Sequence, residues 1–320
     1  MRRTRVVWLD LLRGFGISLV VIGHCLQGGL LRTWIYNFHV PLLFMLSGYL
    51  NQLLHGGTRR FRFKRVLLPY VIWSALSAGF AILYTPDRGA FWIVNDMMPL
   101  VGFSSWNLAM WFLYALLFVD VLKPKWDRMS GYVPLVVFLS VPIGVQFLYP
   151  EIPNALGWKN ILFGCLCYGI GEMIARFSIV EKLSSYRAMP IMLLIIGSFI
   201  GLYNGPLSTY MCAYGRSIIF LFIASTMISV ALMILFRRFE QRIPVVFGLL
   251  GKCSLFIMVS HYFPFRTCAN IIPMFVPLNN ICVQLVEGVL ILVAYVGYFK
   301  VIEHLKVGKH LPDYLGGSKR

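Results

Sequence analysis

Charge is what this sequence has least of. Of its 320 residues 13% are charged, and only 12 are Asp or Glu. A soluble domain ordinarily carries about 25% charged residues. With 59% hydrophobic residues and a mean hydropathy of +0.76, the chain cannot clothe a fold of this size in a water-wetted surface. It also lacks any polar stretch long enough for a separate soluble domain. One membrane domain, residues 1–305, and a short solvated tail, 306–320, are therefore expected. No clear internal repeat is present, so an inverted-repeat transporter gains no support. The seven cysteines are odd in number and follow no disulfide or zinc spacing. Cys165-x-Cys167 is neither a metal nor a redox motif. Most of the cysteines lie in apolar runs as small core residues. Only Cys212 and Cys268, in loops expected on the same outer side, leave a disulfide open.

Apolar runs are what the chain has in quantity. They fall at about 7–27, 34–54, 66–83, 108–122, 132–149, 158–175, 188–203, 215–236, 245–263 and 280–300. Crossing about 30 Å of hydrocarbon takes roughly 17–25 such residues as a helix. The fourth run is short for a span unless it continues upstream past Asn107. The expected fold is all-α: a polytopic membrane helix bundle of about ten transmembrane helices. The N-terminus, Met1-Arg2-Arg3-Thr4-Arg5 before an apolar run, is like a signal peptide in outline. The run is too long for one, contains Asp10, Arg13 and His24, and has no small-x-small cleavage site after it. It reads as the first membrane helix.

The net charge of +17 raises nucleic acid as a partner. The basic residues are scattered over many short loops and form no continuous stripe, which argues against it. Twenty-two of the 29 Lys and Arg fall in alternate loops shared with both termini, and five fall in the others. Cytoplasmic loops of membrane proteins collect Lys and Arg. Both termini are therefore expected inside a cell (cytoplasmic or inner) membrane. The long outer segment 84–107, rich in aromatic and Met residues, suits a re-entrant or lid segment.

An ionisable residue inside a span costs roughly 2.5–3.5 kcal/mol by insertion scales and is a functional candidate by default. The first span carries three. Asp10 and Arg13 stand i,i+3 and can pair on one helix face. Arg13 and His24 are eleven residues apart, three turns plus roughly 20°, so they share that face at about 16 Å separation. An imidazole there suits proton transfer from a hydroxyl. The blander alternatives are an interfacial anchor for Asp10–Arg13 and a buried structural histidine for His24. His39 and His261 fall at similar depth near the outer ends of their spans, and Asn37, Asn107 and Trp111 suit the same outer pocket. No acidic ligand accompanies the three imidazoles, so no metal is expected. Trp34, Trp92 and Trp106 read as an interfacial belt. Glu172 reads as a helix-end charge.

Several of these residues stand in motifs that resemble a known family. Asp10-Leu-Leu-Arg13-Gly14, with His24 after ten intervening residues, resembles the R-x10-H motif of the membrane acyltransferase-3 family. Phe38-His39-Val40-Pro41-Leu42-Leu43-Phe44 and Ser47-Gly48-Tyr49 resemble its second-helix signature. Leu67-Leu68-Pro69-Tyr70, Trp111-Phe112-Leu113 and Gly251-Lys252-Cys253-Ser254-Leu255 with His261 follow in the family's order. The second span is most similar to O-acetyltransferases of surface or secreted carbohydrates, such as fucose 4-O-acetylase-like proteins. The family also implies a basic R-x3-R element before the third helix. Arg60-x3-Lys64 keeps that spacing with a lysine, while Arg62 and Arg65 stand i,i+3.

The resemblance implies an O-acyltransferase that takes an acyl group, acetyl above all, from cytoplasmic acyl-CoA to a carbohydrate or glycolipid hydroxyl. It implies no tightly bound cofactor. Arg13, oriented by Asp10, is expected to position the donor, and His24 to act on the acceptor hydroxyl, as general base or through an acyl-His intermediate. Arg60, Arg62, Lys64 and Arg65 are expected to hold the phosphates of acyl-CoA, for which Arg forks are suited. Asn37, His39, Asn107, Trp111 and His261 are expected on the acceptor. The rival readings are a transporter or flippase using the same charges as a path, and a non-catalytic membrane scaffold.

Overall fold

The computed structural model describes residues 6–55, 63–84, 106–126, 157–274 and 280–305, with Gly144, Asn154 and Pro277. The described residues are helical, and their β structure is one isolated antiparallel bridge, Ser208 with Ala213. The helices are α1 (Val7–Cys25), α2 (Gly29–Tyr36), α3 (His39–His55), α4 (Phe63–Tyr84), α5 (Met110–Trp126), α6 (Trp158–Arg176) and α7 (Ile179–Ser184). They continue as α8 (Met189–Asn204), α9 (Ile218–Arg238), α10 (Val245–Lys252), α11 (Ser254–Ser260), α12 (Tyr262–Ile271) and α13 (Ile281–His304). Four stretches among the described residues are long and apolar enough to cross a membrane: α1, residues 66–83 of α4, α9 and α13. The expected span 132–149 lies outside the described residues apart from Gly144.

The chain divides into two compact units. One comprises residues 1–43, 178–207 and 223–320, and the other residues 44–177 and 208–222. Both are built on glycine-mediated helix crossings. Lipid supplies no hydrophobic drive between helices, so packing is won by letting backbones approach closely at small residues. In the first unit a Cβ on Gly14 would overlap the Phe247 carbonyl, and one on Gly251 would overlap the Asp10 carbonyl. Thus α1 lies against α10 with main chain touching main chain. In the second unit Gly48 of α3 meets the Tyr168 carbonyl and Gly171 of α6 meets the Met45 carbonyl in the same way. Both crossings lie next to a residue the sequence singled out: Arg13 beside Gly14, and Glu172 beside Gly171. Glu172 is buried within α6, four residues before its end, and accepts a hydrogen bond from the Asn51 amide at 2.9 Å, so it pins α6 to α3 where the sequence suggested only a helix-end charge.

The outward faces of α8 and α13 are large and apolar. Ile195 (63% exposed), Phe199 (73%), Leu290 (59%) and Val293 (59%) show the pattern. Water would penalise such surfaces, and acyl chains do not.

Two expected spans are segmented. The run 34–54 breaks between α2 and α3 at Asn37 and Phe38, because the Asn37 amide donates to the Thr33 carbonyl at 2.8 Å and competes with the helix ladder. The run 245–263 divides into α10, α11 and the start of α12, with turns at Cys253 and His261. Proline has no N–H and crowds the carbonyl four residues before it, here that of Ser260. Pro264 therefore accounts for the break at His261. On the side that carries Arg237 and Arg238, the Arg238 guanidinium donates to the Ser184 and Arg187 carbonyls at 2.8 and 3.1 Å. Arg237 pairs with Glu181.

Candidate functional site

The site lies within the first unit and is built around α1. Asp10 and Arg13 form the expected i,i+3 pair, with Nη1 to Oδ1 at 3.6 Å. Three turns further on, His24 closes the helix in its last turn. The break at Leu26 then lets α2 fold back, and Tyr36 at its end reaches His24. The Tyr36 hydroxyl lies 3.5 Å from His24 Nδ1 and the Tyr262 hydroxyl 3.1 Å from the same nitrogen. Tyr262 is the first residue of α12, placed there by the break at His261. The His24 ring is thus boxed by Tyr262, His261 and Phe265, with centroids at 4.9, 5.2 and 6.4 Å.

His261 is fully buried. Its Nδ1 lies 3.0 Å from the Ile257 carbonyl and 2.9 Å from the Met258 carbonyl. Carbonyl oxygens only accept, so Nδ1 carries the proton and Nε2 of the neutral ring keeps its lone pair. That Nε2 is buried without a hydrogen-bond partner among the described residues. His39, also buried, donates from Nδ1 to the Ile35 carbonyl at 2.8 Å and packs on Tyr36 at 4.9 Å between centroids. Backbone carbonyls therefore fix the tautomer of two imidazoles, as a carboxylate does in a catalytic triad.

The sequence-predicted residues divide as follows. Asp10, Arg13, His24, His39, Asn37 and His261 belong to this unit. The Asn37 amide is occupied: beyond Thr33 it donates to the Gly205 carbonyl at 3.4 Å, and its oxygen accepts from Asn204 at 3.3 Å. This network ties the end of α8 to the α2–α3 corner. Asn107 and Trp111 belong to the other unit, where Asn107 donates to Ser77 at 3.2 Å and Trp111 packs against Phe44 and Phe163. Arg60 and Arg62 lie outside the described residues. Lys64 and Arg65 fall in the first turn of α4. Among the described residues no group of three or more His, Cys, Asp or Glu is arranged to hold a metal ion. All seven cysteines are free, Cys212 and Cys268 included, and Cys268 lies in helix α12 rather than in a loop.

Sequence reasoning missed four members of this neighbourhood. Tyr36 and Tyr262 reach His24 only through the chain breaks at residues 26–28 and 261, which no periodicity announces. The Arg32 guanidinium stacks over the Tyr36 ring, 4.3 Å from its centroid, where it had read only as an outer-loop charge. Glu287 stands buried in the middle of an apolar helix, and its Oε1 lacks a partner among the described residues. The rule that singled out His24 would have found it: an ionisable residue inside a span. It lies one residue before Gly288, which packs on Ile22 of α1, and one turn after Gln284, whose side-chain oxygen accepts from the Gln27 backbone at 3.2 Å.

A family model described as an acyltransferase domain matches residues 6–299. The chain is similar to the nodulation protein NolL of Sinorhizobium fredii (strain NBRC 101917 / NGR234), 28% identical over 173 residues. That match covers 46% of this chain and 46% of the relative, so the chain spans about half the length of the protein it resembles. No solved structure matches.

Proposed function

The chain belongs to the membrane acyltransferase family whose model it matches from residue 6 to 299, and from that premise we propose a carbohydrate O-acetyltransferase. The donor in this reading is acetyl-CoA from the cytoplasm, and the acceptor is a hydroxyl of a surface or secreted carbohydrate or glycolipid. The membrane is the cell membrane, crossed about ten times with both termini inside. The alternation of Lys and Arg along the loops supports that topology.

One observation carries the chemistry. The His24 imidazole is held by Tyr262 and Tyr36 at the end of α1 opposite the Asp10–Arg13 pair. Arg13 positions the donor, with Asp10 fixing its guanidinium. The acceptor hydroxyl oxygen attacks the thioester carbonyl carbon while its proton passes to His24. The C–S bond of the tetrahedral intermediate then breaks, and the imidazolium returns the proton to the departing CoA thiolate. A positioned base of this kind contributes typically 10²–10⁴-fold. Arg60, Arg62, Lys64 and Arg65 hold the CoA phosphates in this reading.

The test is release of CoA from acetyl-CoA in membranes carrying wild-type protein or His24→Ala at equal abundance, with acceptor glycan present. The variant is expected to fall at least about 100-fold. Turnover near wild type would remove His24 from the mechanism.

A further inference from the structure

The lone pair on His261 Nε2 has no use in the chemistry above. It is fully buried, its tautomer is fixed by two carbonyls, and its ring stands 5.2 Å from that of His24. A buried acceptor left empty calls for an explanation, and a ligand that donates to it is one. Because Nδ1 turns back to the backbone of its own helix, Nε2 lies at the far edge of the ring from α11. The neighbouring Tyr262 hydroxyl is engaged at His24 Nδ1, and Ser260 is also committed, to Phe256 at 2.6 Å and Tyr295 at 2.7 Å. Among the described residues no side chain supplies the missing donor.

Resting on the acyltransferase reading, we propose that His261 Nε2 accepts a hydrogen bond from a second hydroxyl of the acceptor sugar, next to the one that reacts at His24. Two imidazoles 5.2 Å apart can be reached together by neighbouring hydroxyls of one pyranose ring, which stand about one hydrogen-bond length from each other. The substrate class this selects is a sugar bearing a free diol at the acylated position, and His261 is its specificity-determining residue. A site that hydrogen-bonds a substrate hydroxyl discriminates strongly against the analogue lacking it, because its own buried group is then left unpaired.

The experiment is acyl transfer from radiolabelled acetyl-CoA by the full-length protein in native membranes. A panel of methyl hexopyranosides serves as acceptors. The best acceptor is then compared with its analogue deoxygenated at the carbon beside the acylated one. Wild type is expected to lose at least about 100-fold in kcat/KM on the deoxy sugar. His261→Phe keeps the ring volume and removes the lone pair. It is expected to lose a similar factor on the parent sugar, to leave the deoxy sugar unchanged, and so to bring the ratio between the two near one. His261→Gln, which keeps a side-chain acceptor, is expected to recover part of the discrimination and decides the matter if His261→Phe does not accumulate. Variants that discriminate as wild type does would overturn the proposal. So would an equal loss on both sugars, which would make His261 a general base or a structural residue. If wild-type membranes transfer acetyl to no sugar of the panel, the carbohydrate O-acetyltransferase reading itself falls.

Discussion

Replacing Gly14 by alanine tests whether the α1–α10 contact is as close as its geometry implies. The new Cβ would overlap the Phe247 carbonyl and stand 2.9 Å from the Gly251 nitrogen. Those neighbours are main-chain atoms in a helix, so no side chain can swing away and the two helices must separate. Overpacking of this kind costs typically 1–3 kcal/mol. Alanine is the better helix former by roughly 0.5–1 kcal/mol, which offsets part of the loss. The net expectation is a destabilisation of about 1–2 kcal/mol. Gly251→Ala, which overlaps the Asp10 carbonyl, is expected to behave alike. Gly248→Ala on the same α10 is the control, since its Cβ would meet only Leu11 Cδ2 at an ordinary 3.6 Å. There the propensity gain stands alone and stability is expected to hold or rise. Thermal denaturation of the purified protein in nanodiscs reads all three. The reasoning is refuted if Gly14→Ala melts with wild type, or if Gly248→Ala loses as much as its neighbours.

Activity offers a sharper reading of the Tyr262 contact. Removing its hydroxyl by Tyr262→Phe takes away the 3.1 Å contact to His24 Nδ1, worth about 0.5–1.5 kcal/mol. Acetyl transfer should fall roughly three- to tenfold in kcat with folding unchanged; an unaltered kcat would show that the hydroxyl does not orient the imidazole. In the second unit, Asn51→Ala removes the amide that donates to the buried Glu172 and is expected to cost about 1–3 kcal/mol by the same melting assay. Loss of that order should also follow in membranes that never meet acceptor, which separates it from a catalytic effect. Burial pushes the Cys212 thiol pKa up, and a hydrogen bond with Tyr214 and the nearby Lys159 charge offset only part of that. The raised value keeps the thiol protonated at neutral pH, so less thiolate is present there than on an unstructured cysteine. Maleimide labelling of a variant retaining only Cys212 should be slow at pH 7 and accelerate as the pH rises. Rapid labelling at pH 7 would contradict it.

Helices were legible wherever apolar composition alone decides them. The run read at 158–175 is α6 at Trp158–Arg176, and that read at 188–203 is α8 at Met189–Asn204. The i,i+3 pairing of Asp10 with Arg13 was legible because helix geometry fixes it locally. The breaks were harder. Asn37 and Pro264 sit in runs whose hydropathy stays high throughout, and their effect comes from one side-chain bond and one missing N–H. Hydropathy averages such events away. The boxing of His24 was less accessible still. Tyr262 lies 238 residues further along the chain, and its approach depends on how α1 packs against the segments after α10. Glu287 is a different kind of miss, a signal present in the sequence and passed over. The basic loop around Arg60 and Arg62 lies outside the described residues.

The glycine joint between α1 and α10 has a consequence for how a sugar reaches His24. Where two main chains touch, there is no layer of side chains to act as a bearing, and neither helix can slide or roll without breaking contact. Asp10, Arg13 and His24 on α1 therefore travel with α10 as one piece. The helix ladders are interrupted at residues 26–28, between α1 and α2, and past Ser260, where Pro264 removes a rung and the chain turns. The elements that border the imidazole across a chain break are α2 with Tyr36 and α12 with Tyr262 and Phe265, while Arg13 and His24 stay in line on α1.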